Sequence, residues 1–252
     1  MTGGVVRVLE LDPDLAEGLD ATRLSKAKIE VRAVSKELAP GSWGEQEWTA
    51  EIRGGPGLLL LGGLLLRRVG LDGRFGAELL AGGDVLRPWQ EDEAVASVSS
   101  SAGWRVLERA QVAVLDLGFS RRIAPYPEIF GQLMARTLRR ARYLAVIMAI
   151  IHQPRVETRL HMLLWHLADR CGIVRADGVL VPLRLTHTIL ADLLAARRPT
   201  VSAALGSLQK RGLMTSTSRG WILHGGPPGE LPAMSDAEGA IATAPRSALE
   251  AQ

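Results

Sequence analysis

Residues 185–213 read LTHTILADLLAARRPTVSAALGSLQKRGL. Thr186 can cap a helix whose apolar positions Ile189, Leu190, Leu193 and Leu194 recur at helical spacing, up to the small pair Ala195 and Ala196. Pro199 suits only the first turn of a helix, because it lacks an N–H and fixes φ; a second helix therefore starts there. Val201, Ala204, Leu205 and Leu208 supply its inner stripe and Gly212 ends it. Two short helices joined by a tight turn, with Ala191 and Ala195 placed for close approach and Val201 plugging the angle, make a helix-turn-helix.

The outward face of the second helix carries Arg197, Arg198, Pro199, Thr200, Ser202, Ala203 and Ser207, with Lys210 and Arg211 near its end. Arginine donates two parallel hydrogen bonds to guanine edges or phosphates, and hydroxyls suit phosphate oxygens. No acidic residue lies between Asp192 and Glu230. Upstream, IVRADGVLVPLRL (173–185) reads as two strands around Asp177-Gly178; downstream, LMTSTSRGWILH (213–224) reads as a hairpin turning near Ser218 to Gly220. Hairpins on both sides of a helix-turn-helix make a winged helix.

From about Arg155 to His224, including the lead-in helix VETRLHMLLWHLADRCG, the chain resembles the C-terminal domain of the catabolite activator and fumarate-nitrate regulator (CRP/FNR) superfamily of bacterial transcription factors. The resemblance implies a helix at about 197–211 entering the major groove of double-stranded DNA. It places Arg198, Pro199 and Ala203 at base-reading positions and Thr186, His187, Arg197, Thr200 and Ser202 at phosphate-touching ones. Ser207 and Lys210 are further candidate phosphate contacts. Pro199 and Ala203 depart from the charged residues familiar in the family, so its best-known operator does not carry over.

Charge is distributed to match. Residues 1–125 hold 15 Lys+Arg against 18 Asp+Glu, net −3; residues 126–224 hold 14 against 5, net +9; residues 225–252 hold 1 against 4, net −3. A basic block coinciding with the helix-turn-helix is the footprint of a phosphate-binding surface. Hydrophobic residues make up 47% of the 252, enough for a core of one large or two modest domains. The apolar runs 58–66 and 144–151 are too short to cross a bilayer, and MTGGVVRVLELDPD has no signal-peptide pattern, so a cytoplasmic, nucleoid-associated protein with no membrane partner is expected. Cys171, the single cysteine, excludes an internal disulfide and reads as packing.

Residues 10–31 read as two short helices broken near Gly18. From Val31 to Asp116, short apolar runs separated by glycine-rich turns, among them Asp72-Gly73, argue for a small antiparallel barrel or sandwich. This texture is similar to the jelly-roll, cyclic-nucleotide-binding-like sensor domain of the same superfamily. The family's phosphate-holding Gly-Glu pair and later arginine are replaced here by Leu86-Arg87-Pro88-Trp89, then Glu91-Asp92-Glu93 and Ser97 to Ser101, so cyclic AMP held in the usual way is not expected. Arg87 beside Trp89 is a candidate effector site, an anion fork next to a stacking ring; Trp43, Trp48 and Trp104 read as core. No histidine lies in residues 1–125, so neither a metal-cupin site nor a serine triad can be built there, and neither a cofactor nor a metal nor enzymatic activity is expected.

Residues 126–152 form a long helix starting near Pro125 and Pro127. Phe130, Met134, Thr137, Ala141, Leu144, Met148 and Ile151 alternate spacings of four and three, a coiled-coil seam, with Arg136, Arg139, Arg140 and Arg142 on a polar face. By the family resemblance this is the helix of a homodimer, and Pro154 gives the hinge.

The expected class is α+β: a sensor barrel with helical entry over 1–124, a dimerisation helix over 125–153, a winged-helix DNA-binding domain over 154–224, and a disordered tail over 225–252. The function implied is a DNA-binding transcription regulator that binds an inverted repeat as a homodimer, controlled by a small-molecule effector of unknown identity, with RNA polymerase a candidate partner. Two rivals remain: a constitutive DNA binder whose barrel is only a scaffold, and a jelly-roll ligand-binding or interaction protein that does not bind DNA.

Overall fold

A computed structural model describes residues 3–44, 48, 51–72, 74–87 and 100–228. Trp89, the acidic run after it and the tail beyond Pro228 lie outside them.

Strand β1 (Gly4–Arg7) leads into a short helix α1 (Val8–Leu11), a 3-10 turn (Pro13–Ala16) and α2 (Ala21–Glu30). Gly18, at φ +91°, separates the turn from α2, and the Asp20 carboxylate caps α2 by accepting from the Arg23 amide at 2.9 Å. Strands β2 (Arg32–Leu38), β3 (Gly41–Trp43), β4 (Gly57–Leu71), β5 (Arg74–Ala81), β6 (Val85–Leu86) and β7 (Ser101–Leu115) join β1 in a seven-stranded antiparallel sheet. Its main path runs β1-β2-β7-β4-β5, with β3 on β7 and β6 on β4.

The short strands read from the sequence are here two fifteen-residue strands, β4 and β7, paired from Gly57↔Leu115 to Gly70↔Ser101. Register shifts around Gly62 and Gly63 keep the pair continuous. Gly63 sits at φ +91°, where an added Cβ would fall 2.4 Å from the Ala110 Cα, so no other residue fits. Alternation explains the leucines that β-propensity did not predict. Leu58, Leu60 and Leu65 point into a core with Leu38, Trp48, Trp104, Val106 and Val112, whereas Leu59 faces the helices, and Leu64 and Leu66 face the C-terminal part of the chain. Both faces of β4 are covered, and a strand covered on both faces reads as a continuous apolar run.

Helices α3 (Leu117–Ile123) and α4 (Pro127–Ile151) follow, then the winged helix: α5 (Val156–Cys171), β8 (Ile173–Arg175), β9 (Gly178–Val181), α6 (His187–Leu193), α7 (Arg198–Lys210), β10 (Met214–Thr217) and β11 (Gly220–Leu223). The second sheet has the order β10-β11-β9-β8. The first hairpin turns at Ala176-Asp177, one residue before the expected pair, because Gly178 is already in the strand, where a Cβ would meet the Leu223 carbonyl at 2.2 Å. Ala195 is not a close-packing alanine: it is exposed, at φ +48°, and makes the turn of the helix-turn-helix. That conformation costs an L-residue on the order of 1 kcal/mol or more, so Ala195→Gly is expected to leave stability unchanged or raise it by up to about 1 kcal/mol in urea unfolding. A clear loss would show that Ala195 packs after all.

Two of the arginines on α4 expected to face solvent turn inward. Arg136 pairs with Asp12, and Arg140 grips Glu78 with Nε–Oε1 at 2.6 Å while Arg67 holds the same carboxylate at 2.8 Å. The winged helix docks on the sheet through Arg170 with Asp84, Arg68 with Asp192, and Leu64, Leu66 and Leu79 against Leu160, Leu163 and Leu193.

Two α5 histidines give a pH signature. His161 is buried and accepts from the Trp165 indole N–H at 3.1 Å; His166 stands edge-on to Tyr143. Burial pushes both imidazoles below their ordinary value, aided at His161 by Arg211 and at His166 by Arg170. The unfolded chain therefore binds more protons than the folded one just below about pH 6.5, and stability falls as pH drops through that value. The urea midpoint is expected to decrease from pH 7.5 to 5.5, less steeply in a double variant His161→Gln, His166→Gln; an unchanged slope would refute the assignment.

Candidate DNA interface

The Thr186 hydroxyl caps α6 by accepting from the Ile189 amide at 3.3 Å, which leaves its own hydrogen free to donate outward. α7 buries Val201, Ala204, Leu205 and Leu208. Because α7 buries that one stripe, the opposite side is open: Arg197, Arg198, Pro199, Thr200, Ala203 and Lys210 are all exposed, on one contiguous surface with Thr186 and His187. His187 Nδ1 lies 2.8 Å from Ser202 Oγ, which itself donates to the Arg198 carbonyl at 3.1 Å. The imidazole is then the donor to Ser202, and the two helices are tied across the open face. Ser207 differs: its hydroxyl is turned to the Glu157 carboxylate, which it holds, with Arg211, below the usual carboxylate range.

The wing adds residues that the sequence reading passed over. Thr215, Ser216, Ser218 and Arg219 are exposed, and the Gln209 amide donates to Ser216 Oγ at 2.6 Å, fastening the hairpin to α7. The unbroken polar run from Thr215 to Arg219 was the signal available. The chemistry offered is an acid-free surface of guanidinium, ammonium and hydroxyl donors, suited to a polyanion.

Five of the seven positions of the expected seam on α4 are exposed. Phe130, Met134 and Met148 are exposed at 52%, 46% and 60%, and Thr137 and Ala141 are exposed too. Leu144 and Ile151 are half-buried instead, Leu144 lining a small cavity between β5, α4, α5 and α6. Leu138, exposed at 64%, and Ala145 complete the stripe in their place. Met134, Leu138, Ala141, Ala145 and Met148 keep the four-three spacing of a coiled coil.

Of the candidate effector pair, Arg87 is exposed at the end of β6, and Trp89 is outside the described residues. Inside the sheet, Trp43 stacks edge-on against Trp48 and Trp104 at 5.7 and 5.3 Å, filling space among the leucines. Cys171 donates to the Leu167 carbonyl, and burial raises its thiol pKa, as expected of a packing residue.

Residues 158–224 match the Crp-like helix-turn-helix domain family. The anaerobic regulatory protein of Bacillus subtilis is 36% identical over 64 residues, 25% of this chain and 27% of that protein, so the chain spans about a quarter of the length of the curated relative it matches. Solved structures extend the likeness to most of the chain. A cyclic nucleotide-binding domain containing protein from Listeria monocytogenes superposes with a TM-score of 0.61 at 15% identity, covering 84% of this chain and 97% of the other. CooA from Carboxydothermus hydrogenoformans gives 0.57 at 17%, covering 84% and 90%. A CRP-family transcriptional regulator from Thermus thermophilus gives 0.51 at 23%, covering 75% and 91%. At these identities the structures establish a shared fold.

Proposed function

We infer that the chain belongs to the CRP/FNR superfamily of transcription regulators, its Crp-like head being a DNA-binding domain, and that it reads an inverted-repeat site as a homodimer. The observation that carries this is the exposed, acid-free face of α7, framed by Thr186, His187 and the Arg219 wing. Arg198, Pro199 and Ala203 read bases; Thr186, His187, Arg197, Thr200 and Lys210 hold phosphates, and Ser202, expected among them, joins the phosphates only by giving up its bond to the Arg198 carbonyl. Two heads related by a twofold axis would meet half-sites centred about 34 Å apart. The exposed apolar stripe on α4 from Phe130 to Met148 supports the dimer, since a monomer gains nothing by displaying it. The working division is a sensor over 1–124, a dimer helix over 125–153 and a head over 154–224. Among the described residues no helix is long and apolar enough to cross a membrane.

The test is selection of bound sequences from random duplex DNA at fixed salt. Enrichment of an inverted repeat, with affinity falling steeply as salt rises, is expected. Binding that ignores both sequence and salt would overturn the reading. The Trp43, Trp48 and Trp104 cluster filling the sheet interior favours one variant of it, a regulator that binds DNA without any ligand inside the sheet domain. Recovery of the same repeat in the absence of every small molecule would support that variant.

A further inference from the structure

A groove of about 350 Å³ lies between the C-terminal half of α4, helix α5 and the chain just beyond β11. Its walls are apolar: Val146 and Ile150 from α4, Met162 and Trp165 from α5, and Pro227-Pro228 opposite. That volume is at the low end of small-ligand sites, about 300–1,000 Å³. Polar groups are few. Gln153 closes one part, and His166 and Asp169 stand together on α5. Asp169 is exposed and, among the described residues, has neither hydrogen bond nor ion pair. The guanidinium of its neighbour Arg170 is turned to Asp84 and the Leu79 carbonyl, and a second hollow that Asp169 borders is lined by Arg136, Arg139 and Arg140, of which Arg136 and Arg140 are paired with Asp12 and Glu78. Burial holds the His166 imidazole below its ordinary value, and its ring stands 4.8 Å from that of Tyr143. The groove thus presents an apolar slot with one carboxylate, that of Asp169, at its edge and no ion pair to it among the described residues. Its Val146 and Ile150 walls lie round the helix from Met134, Leu138, Ala141 and Met148, and only Ala149 borders that stripe.

We propose that this groove is a ligand site for a small molecule with a flat apolar body and a single ammonium group, the ring lying against Trp165 and Met162 and the ammonium meeting Asp169. An aromatic amine has that form, and an aromatic acid would meet Asp169 with like charge. The site touches the dimer helix and the first helix of the head together, so an occupant stabilises one placement of the head over others; this coupling, unlike the binding itself, rests on the DNA-binding reading.

Calorimetry on the full chain with tryptamine, indole and indole-3-acetate as probes tests it. Tryptamine is expected to bind saturably, one per chain, and indole-3-acetate at least about fivefold more weakly. Asp169→Asn should weaken tryptamine by about fivefold, the upper range for an exposed ion pair, and leave indole unchanged. Val146→Trp, which fills the groove from α4 on the side away from the stripe, should abolish binding of all three while circular dichroism and the dimer are retained. No saturable binding of tryptamine, equal affinities for tryptamine and indole-3-acetate, or binding that survives Val146→Trp would overturn the proposal. Binding that appears only after truncation at Pro228 would assign the groove to the chain's own C-terminal segment and overturn it too. None of these readouts involves DNA, so their failure is distinguishable from failure to select an operator.

Discussion

Leu138→Arg is expected to convert the dimer into monomers and to cost at least about a hundredfold in affinity for an inverted repeat. Leu138 is 64% exposed at the middle of the α4 stripe. Burying a leucine from each protomer contributes about 1.5–3 kcal/mol apiece, and the twofold axis makes every substitution count twice. Two guanidiniums facing each other in an apolar seam add repulsion and desolvation to that loss. Analytical ultracentrifugation reads the mass, and a titration of duplex DNA reads the affinity. A variant that sediments as a dimer and binds normally would show that the protomers meet elsewhere. Leu138→Met, which keeps the apolar surface, should remain dimeric.

Arg198→Ala is expected to cost about 1–3 kcal/mol, roughly 5- to 150-fold, and to relax preference at one base pair of each half-site. Arg198 opens α7, is exposed, and forms no ion pair among the described residues, so its guanidinium is available to a guanine edge. Lys210→Ala makes the contrast. It should weaken all sequences alike and reduce the salt slope by about one, because a phosphate contact carries no sequence information. Repeating the sequence selection with each variant separates the two. An Arg198 variant that loses affinity uniformly would reassign the residue to the backbone.

The helix-turn-helix was legible because local chemistry fixes it. A threonine cap, a proline in a first turn and two apolar stripes of period 3.6 leave few alternatives, and α6 and α7 fall within a residue or two of where those signals put them. The seam on α4 was legible as a pattern but not as a face. Leu144 and Leu138 each keep the four-three rhythm with Met134, Ala141 and Met148, and only the packing of α4 on the sheet domain, which takes Ile129, Leu133, Arg136 and Arg140, half-buries Leu144 and leaves Leu138 outside. The arginines misled for a related reason. A guanidinium normally marks solvent, and the acids that bring Arg136 and Arg140 inward, Asp12 and Glu78, are 124 and 62 residues away. The leucines of β4 defeated a strand reading based on propensity because burial on both faces selects for apolar bulk and not for β-branching.

The glycine pair in β4 has a consequence for inheritance. Below it the outward leucine serves the sheet domain's own helices; above it Leu64 and Leu66 serve the head. The head's hydrophobic centre is therefore completed by another domain's strand. A head recombined onto a foreign sheet domain would lose Leu64, Leu66 and Leu79 from the apolar cluster it shares with them, so the gene segments for the two parts should descend together, each tolerating exchange only if the partner's surface travels with it.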